Sequence, residues 1–244
     1  MLFKIDNRQK SGNPHIKILY PGAALGLADT GMATIGRIDQ AALPAGSFIA
    51  MHPHVNDEIL SYFRSGKVKH TDSAGFSEHI TPSRLMLMKA GSSFFHEEKI
   101  LDDSDLLEGL QIFIRPRHKD LTPEVQFHEL ATVHSDNDWR MLAAPTDDAP
   151  LQLRSETWIY DTRITSEKTM ELPALPKEKL TLLLYVFQGE VLVNDSIALT
   201  KGESLFIKEE ESLSIQSAQA ELVLFVTDEK SAFFDGGMYS GNQS

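Results

Sequence analysis

The sequence predicts an all-β protein made of two antiparallel β-barrels in tandem. Short runs rich in Val, Ile, Leu and Phe recur along the 244 residues, and Gly, Pro, Asn, Asp or Ser bound each run. Almost no long stretch has the 3.6-residue period of an amphipathic helix, so the runs are typical of strands in a sandwich or barrel. The predicted strands are 32–38, 58–63, 85–88, 110–114, 151–160, 180–187, 204–207 and 221–226.

A repeated pattern indicates that there are two barrels. The order strand, Gly turn, strand occurs in 59–69 and 182–194, and the order turn, strand occurs in 81–88 and 200–207. A pattern that occurs once in each half of a chain is typical of a duplicated domain. Any two hairpins share this pattern, so the repeat alone leaves duplication open. The segment 144–151 is rich in Pro and Asp and predicts the join, which gives domains 1–144 and 145–244.

Composition excludes several classes of function. The formal net charge is -12, from 23 basic and 35 acidic residues, and a chain without a basic face is not expected to bind nucleic acid directly. Cysteine is absent, so a metal would need His and carboxylate ligands. The N-terminal segment lacks the apolar stretch of a signal peptide, and no run reaches the roughly 18 apolar residues of a membrane span. We therefore expect a soluble cytoplasmic protein that binds no membrane.

His52 and His54 form the first candidate metal pair. Side chains two residues apart on a strand point to the same face, so these two imidazoles can reach one point. Gly46 precedes the pair, and Glu58 follows it with the same parity. A His-x-His pair is a weak motif by itself, so the prediction depends on further ligands nearby.

His96 and Glu98 form the second candidate pair, again with a spacing of two residues and again beside a predicted strand. Two such pairs on two strands of one barrel can converge as three imidazoles and one carboxylate. This set suits iron, manganese, nickel, copper or zinc and leaves coordination positions open for water or substrate. The alternative is a metal-free cluster of hydrogen-bonded polar side chains at the mouth of the barrel.

Other polar residues near these motifs have less specific predicted roles. His70 and His79 have no evident partner on the same face, so we expect both to be ordinary surface histidines. Residues 72–75 predict a hairpin turn. Gln111 lies on a predicted strand, and we expect it either to face the metal as a substrate contact or to satisfy a polar group inside the barrel.

Three segments resemble the pirin family. Residues 43–73 contain LPAGSFIAMHPH and then GKVKHTDS, which Ala74 and Gly75 follow, and they are similar to the N-terminal cupin barrel of pirins. Residues 82–98, PSRLMLMKAGSSFFHEE, resemble the second motif of the family, in which an Ala-Gly pair precedes a His-x-Glu. Residues 107–116, LEGLQIFIRP, are similar to the Gly-Leu-Gln strand of the family.

The resemblance implies a bicupin with one divalent transition metal in the N-terminal barrel. Iron as Fe(II) is the metal usual in the family, and Mn, Ni, Cu and Zn are the alternatives. Matched to the family motifs, the metal ligands are His52, His54, His96 and Glu98. The C-terminal barrel is expected to bind no metal, because no histidine follows His134.

The sequence departs from the family beside the expected metal. Pirins follow the HPH motif with Arg-Gly-Phe, whereas this chain has Val55, Asn56 and Asp57, which leaves the substrate and the openness of the pocket undecided. Glu58 matches a carboxylate that is a metal ligand in many cupins, but in pirins the second motif carries the carboxylate. We therefore assign Glu98 as the ligand and Glu58 as a nearby orienting group.

The resemblance implies a metal-dependent dioxygenase of the quercetinase type, which opens a flavonol ring with O2 and releases carbon monoxide. Glu98 would act as the catalytic base on the flavonol hydroxyl after leaving the metal. Another small enol or catechol is the alternative substrate. The alternative from a different class is a non-enzymatic metal- or redox-sensing protein that binds a regulatory partner. Acidic residues near the metal disfavour DNA and leave a basic protein as that partner.

Overall fold

Antiparallel strands make up most of the computed structural model, and the prediction of an all-β chain is confirmed. The structure describes residues 1–166, 168–210 and 212–243. The chain divides into two compact units: the first comprises Lys10–Val133 and Ala232–Ser244, and the second comprises Met1–Gln9 and His134–Ser231. The N-terminal segment Met1–Gln9 therefore belongs to the second unit, and the C-terminal segment Ala232–Ser244 belongs to the first. The domain division predicted at residue 144 stays a prediction.

The elements are numbered here in chain order. Those up to residue 133 are β1 Leu2–Ile5, the 3-10 helix Asn7–Gln9, β2 Ser11–Gly12, β3 Ile16–Leu19, α1 Pro21–Ala24, β4 Ile35–Leu43, β5 Phe48–His54, β6 Glu58–Ser65, β7 Val68–Asp72, β8 Ser77–Ile80, β9 Arg84–Lys89, β10 Phe94–Ile100, β11 Leu107–Ile114 and β12 Glu124–Glu129. Those that follow are β13 Arg140–Ala143, β14 Thr157–Ile164, β15 Lys168–Met170, β16 Thr181–Val193, β17 Ile197–Thr200, β18 Ser204–Lys208, β19 Ile215–Ser217 and β20 Ala220–Thr227.

Two sheets form the first unit. One has the strand order β5-β10-β7-β8, and the other has the order β12-β9-β6-β11-β4-β3-β2. Their buried side chains form one core, to which β7 and β10 contribute Val68 and Phe94 while β6, β9 and β11 contribute Ile59, Met86 and Phe113. The smaller sheet thus turns one face toward a closed interior, as the barrel prediction requires.

Alternation along two strands of the smaller sheet brings polar side chains into that interior. In β10 the side chains of Phe94, His96 and Glu98 are buried, while Phe95 and Lys99 are exposed. The strand β7 alternates in the same way, so its residues Val68, His70 and Asp72 are buried. Because successive side chains on a strand point to opposite faces, the buried polar residues of both strands lie on the same side of the sheet.

The predicted hairpin turn at residues 72–75 is confirmed. It joins β7 to β8, and the backbone N–H of Asp72 donates to the carbonyl oxygen of Phe76 at 3.0 Å. Gly75 supplies the positive φ of 95° that this turn needs.

The second unit is organised around β16, which pairs with β18 and β20 in a sheet of order β1-β18-β16-β20-β14-β13. Two strand predictions need correction. The strand expected at 151–160 begins only at Thr157, since residues 151–156 contain bends and a single isolated bridge. Gly189 was expected in a turn between two strands, but it lies within β16 at a φ of 81°, beside a register shift at Val186 and Gln188. A β-bulge explains both the glycine and the uninterrupted strand.

No helix in the described part of the chain combines the length and the apolar character that a membrane crossing requires.

Candidate metal centre

Three imidazoles converge inside the first unit. His52 and His54 lie on β5, and His96 lies on the paired strand β10, where it is the cross-strand partner of His52. The Nε2 atom of His54 is 3.0 Å from that of His52 and 2.9 Å from that of His96, and the Nε2 atoms of His52 and His96 are 3.1 Å apart. His54 and His96 are buried, and His52 is partly exposed. The two strands thus bring together the three histidines that the sequence predicted as ligands.

In each of these three histidines the other ring nitrogen, Nδ1, contacts a group outside the cluster. The Nδ1 atom of His52 is 2.9 Å from the carbonyl oxygen of Ala50, and that of His54 is 3.4 Å from Oδ2 of Asp57. The Nδ1 atom of His96 is 3.3 Å from Nδ1 of His70. A carbonyl or carboxylate oxygen only accepts, so it fixes the proton of a neutral imidazole on Nδ1 and leaves a lone pair on Nε2. Outer contacts of this kind orient the histidine ligands of metals.

Three Nε2 lone pairs at these distances would repel one another, so the cluster suits a cation bound between them. A proton is a poor candidate for that cation. Burial, followed by the neighbouring His54, His52 and His70, lowers the pKa of His96 to about 2, and burial also lowers the pKa of His52. Both shifts favour the neutral form of these two imidazoles, which is the state in which histidine binds a metal. The donor set fits a transition metal.

The three Nε2 atoms would hold one ion together, since all of them lie within 3.1 Å of one another. A transition metal bound there would supply Lewis acidity to a substrate beside it.

Glu98 lies outside this nitrogen cluster. Its carboxylate accepts from Nε2 of Gln111, which is 3.1 Å from Oε1 and 3.0 Å from Oε2. Oε1 is 3.9 Å from Nδ1 of His96, on the ring edge away from the other two histidines. A β-bulge separates the two residues, since His96 pairs with His52 while Glu98 pairs with Ile49. Burial raises the pKa of Glu98 to about 7, against the opposing hydrogen bond from Gln111. Gln111 thus points into the barrel, and it contacts the carboxylate.

The expectation that His70 is a surface histidine is wrong. His70 is fully buried on β7, and its Nε2 atom is 2.8 Å from Oδ2 of Asp72. Burial lowers the pKa of His70, although Asp72 acts in the opposite direction. Asp72 lies two residues beyond His70, so the two side chains share one face of β7. This spacing was visible in the sequence, but it was not used to predict a partner for His70. His79, by contrast, is exposed on β8.

Glu58 is buried on β6, but it belongs to neither group of potential ligand atoms that lie within 4.8 Å of one another in the described residues. Those groups are His52, His54 and His96, and His70, His96 and Glu98. His96 is common to both, with Nε2 facing the first group and Nδ1 facing the second.

The loop formed by Val55, Asn56 and Asp57, which departs from the family sequence, is held by hydrogen bonds from two other parts of the chain. Asn56 has a φ of 58°, a left-handed conformation that Asn tolerates better than most residues. Its side chain exchanges hydrogen bonds with Asp120, at 3.2 Å and 2.6 Å. Asp57 accepts from the backbone N–H groups of Tyr239 and Ser240, at 3.1 Å and 2.8 Å to Oδ1. The altered residues therefore retain a defined backbone beside His54.

Tyr239 is a neighbour of the site that the sequence did not reveal. Its ring centroid lies 5.0 Å from that of His54 and 5.7 Å from that of Phe113. It reaches the barrel from the last residues of the chain, and no motif in the sequence links these to the HPH strand.

Known families and proteins match most of the chain. Residues 15–114 match Pirin, and residues 141–227 match the quercetinase C-terminal cupin domain. A quercetin 2,3-dioxygenase of Escherichia coli strain K12 is 26% identical over 196 residues, which cover 80% of this chain and 83% of that protein.

Solved structures share the fold. The bacterial pirin YhhW from Escherichia coli, in complex with nickel(II), superposes with a TM-score of 0.78 at 20% identity and covers 93% of this chain and 99% of its own. A quercetin 2,3-dioxygenase from Acinetobacter baumannii has a TM-score of 0.75 at 21% identity, covering 93% of this chain and 86% of its own. These likenesses confirm the predicted fold of two cupin barrels in tandem.

Proposed function

Since the chain belongs to the pirin family of two-cupin proteins, we propose that it is a metal-dependent dioxygenase of the quercetinase type. Its substrate is a flavonol or a similar small enol or catechol, and its co-substrate is O2. The observation that carries the proposal is the convergence of three imidazole nitrogens within 3.1 Å of one another. The quercetin 2,3-dioxygenase of Escherichia coli that matches most of the chain supports the choice of reaction.

The proposed metal ligands are His52, His54, His96 and Glu98. Fe(II) is our first choice of metal, and Mn, Ni, Cu and Zn are the alternatives that this donor set also suits. When bound, the metal supplies Lewis acidity and open positions that hold a deprotonated substrate beside O2. The nickel(II) complex of a bacterial pirin of the same fold supports the binding of a divalent ion by this chain.

Glu98 is the proposed catalytic base. Its pKa of about 7 is close to the ideal for a group that exchanges protons at neutral pH. The carboxylate takes the proton of the flavonol hydroxyl, so the O–H bond of the substrate breaks and the acid form of Glu98 results. Gln111 holds the carboxylate off the nitrogen cluster through its amide nitrogen. In this proposal Glu98 alternates between the metal and Gln111.

The side on which substrate enters follows from burial. The cavity beside Glu98 and Gln111 has a volume of about 20 Å³, which accommodates a single water molecule and not a flavonol. His52 is partly exposed, whereas His54 and His96 are buried. We therefore place the substrate on the His52 side of the cluster, where Glu98 can reach its hydroxyl only after turning away from Gln111.

The test is a quercetin absorbance assay under air with metal-loaded protein, in which carbon monoxide is also measured. The variant Glu98→Gln is expected to retain much of the metal and to lose turnover by about 100-fold or more, the usual contribution of a positioned base. Glu97→Gln is the matched control, because Glu97 lies next in the same strand and points to the opposite face. Unchanged turnover in Glu98→Gln would remove the proposed base. Metal without substrate decay would instead favour a metal-sensing protein.

A further inference from the structure

His70 lies directly behind His96, on the side away from the other two imidazoles. The two Nδ1 atoms are 3.3 Å apart, and the ring centroids are 5.2 Å apart. Both side chains are buried, so water does not compete for this contact. Two facing imidazole nitrogens form a hydrogen bond only when one carries a proton and the other does not. The position of that proton decides what the opposite nitrogen of His96 can do.

Asp72 determines where the proton of His70 is. Its Oδ1 atom accepts from the backbone N–H groups of Ala74 and Phe76, at 2.9 Å and 3.1 Å, and its Oδ2 atom is 2.8 Å from Nε2 of His70. The hairpin turn after β7 thus holds the carboxylate in one orientation. A carboxylate accepts and does not donate, so a neutral His70 carries its proton on Nε2 and has a lone pair on Nδ1.

The proton of His96 follows from this arrangement. A lone pair on Nδ1 of His70 requires the Nδ1 atom of His96 to donate, and the Nε2 atom of His96 is then free of a proton. We propose that His70 and Asp72 are positioning residues that hold His96 in the tautomer able to bind metal through Nε2. This inference rests on the proposed metal site and assigns to it a chain of contacts from the hairpin turn to one ligand.

The structure also contains a competing arrangement. His70, His96 and Glu98 offer ligand atoms within 4.8 Å of one another, so His70 would be a ligand if an ion lay on the Nδ1 side of His96. The hydrogen bond from His70 to Asp72 is compatible with either role. The positioning role requires a single ion per chain, whereas the ligand role adds a second ion that depends on His70.

The substitution Asp72→Asn separates these cases. The amide oxygen of the new side chain faces the two backbone N–H groups, so its nitrogen donates to Nε2 of His70. His70 must then carry its proton on Nδ1, and His96 must shift its own proton to Nε2, among the three nitrogens. We expect nickel(II) affinity, measured by calorimetric titration, to fall by about 10- to 100-fold. His79→Ala, on the neighbouring strand β8, is the control that leaves affinity unchanged.

A second readout reports the tautomer itself. Long-range proton–nitrogen NMR correlations of the metal-free protein, at about pH 8 where imidazoles are neutral, are expected to show His96 protonated on Nδ1 in the wild type and on Nε2 in Asp72→Asn. A merely structural role of Asp72 would lower the melting temperature without moving this proton. If Asp72→Asn does not fold, His70→Phe keeps the ring and removes the acceptor, and the same loss of affinity is expected.

These experiments distinguish a wrong metal site from a wrong positioning role for His70 and Asp72. If the wild type binds no nickel, the metal site is wrong, and the tautomer of His96 still shows whether Asp72 controls it. If the wild type binds nickel and both variants bind it with equal affinity, the positioning role is overturned. Two nickel ions per chain, one of which is lost in His70→Phe, would also overturn it and make His70 a ligand.

Discussion

Arg115 is a fully buried cation at the end of β11. Its guanidinium donates to both carboxylate oxygens of Asp29, at 2.7 Å and 2.6 Å, and to the carbonyl oxygens of Ala33 and Ser240, at 2.9 Å and 2.8 Å. Arg115→Met would leave Asp29 and two carbonyl groups without these donors. We expect the free energy of unfolding to fall by about 3 kcal/mol, as measured by urea denaturation.

Arg163 provides the control for Arg115. It also forms a two-point contact, with Asp136 at 2.6 Å and 2.9 Å, but the side chains are 29% and 48% exposed. Surface pairs of this kind contribute at most about 1 kcal/mol, so Arg163→Met is expected to have a small effect. An equal loss in the two variants would contradict the role assigned to burial.

Glu98 makes the stability of the metal-free protein depend on pH. Its folded pKa of about 7 is above the ordinary value of 4.5, so the folded state binds the proton more tightly than the unfolded state. The resulting stabilisation is complete below about pH 4.5 and is lost as the pH rises through about 7. Glu98→Gln cannot lose this proton. Its stability relative to the wild type should therefore rise by on the order of 3 kcal/mol between about pH 4.5 and pH 8.

Urea denaturation of both metal-free proteins across this range provides the measurement. The comparison isolates Glu98, because the lowered pKa values of His52 and His96 act in the opposite direction and are present in both proteins. Parallel profiles for the wild type and Glu98→Gln would show that burial does not raise this pKa.

At the scale of elements, the strands that carry the site could be predicted in part. A spacing of two residues predicted that His52 and His54 share one face of a strand, and it suggested the same for His96 and Glu98. The three histidine side chains converge in the structure. The bulge between β5 and β10 could not be predicted, because a register shift depends on the pairing of two strands and not on either sequence. The bulge lies between His96, which pairs with His52, and Glu98, which pairs with Ile49.

The C-terminal segment Ala232–Ser244 is the element whose role in the site could not be predicted at all. It supplies the N–H donors to Asp57 and the ring that packs against His54. We expect Tyr239→Ala to weaken nickel binding by about fivefold, since an aromatic pair contributes roughly 1 kcal/mol. Calorimetric titration measures this change.

Tyr239→Phe is the matched control for that prediction, because it keeps the ring over His54 and removes only the hydroxyl. Its affinity for nickel should equal that of the wild type. A loss of affinity in Tyr239→Phe as large as in Tyr239→Ala would assign the effect to the hydroxyl group rather than to ring packing.

For the whole molecule, the strand runs and their turn residues were sufficient to predict an all-β chain, whereas two barrels also needed the resemblance to the pirin family. Each predicted strand overlaps an observed one, although 151–156 form no strand. Continuous apolar runs such as 182–187 are easily recognised because they are buried on both faces. The exchange of terminal segments between the units could not be predicted. It depends on long-range pairing, such as that of β1 with β18, for which a single sequence has no local signal.

Metal binding should affect the two units differently. In the described residues, both groups of potential ligands lie within Lys10–Val133. Nickel loading is therefore expected to slow amide hydrogen exchange in β5 and β10, because a ligand that binds only the folded state stabilises the strands that hold it. Mass spectrometry of exchanged peptides should show little change in β16 and β20. Equal protection in both units would contradict a single site in the first.

The central claim is that three histidines of the first unit bind one transition metal. Elemental analysis of purified protein reloaded with Fe(II) or Ni(II) tests it most directly, with His54→Ala as the variant and His79→Ala as the control with an exposed histidine removed. We predict near one metal ion per chain in the wild type and in His79→Ala, and almost none in His54→Ala. Metal retained by His54→Ala, or none bound by the wild type, would contradict the account.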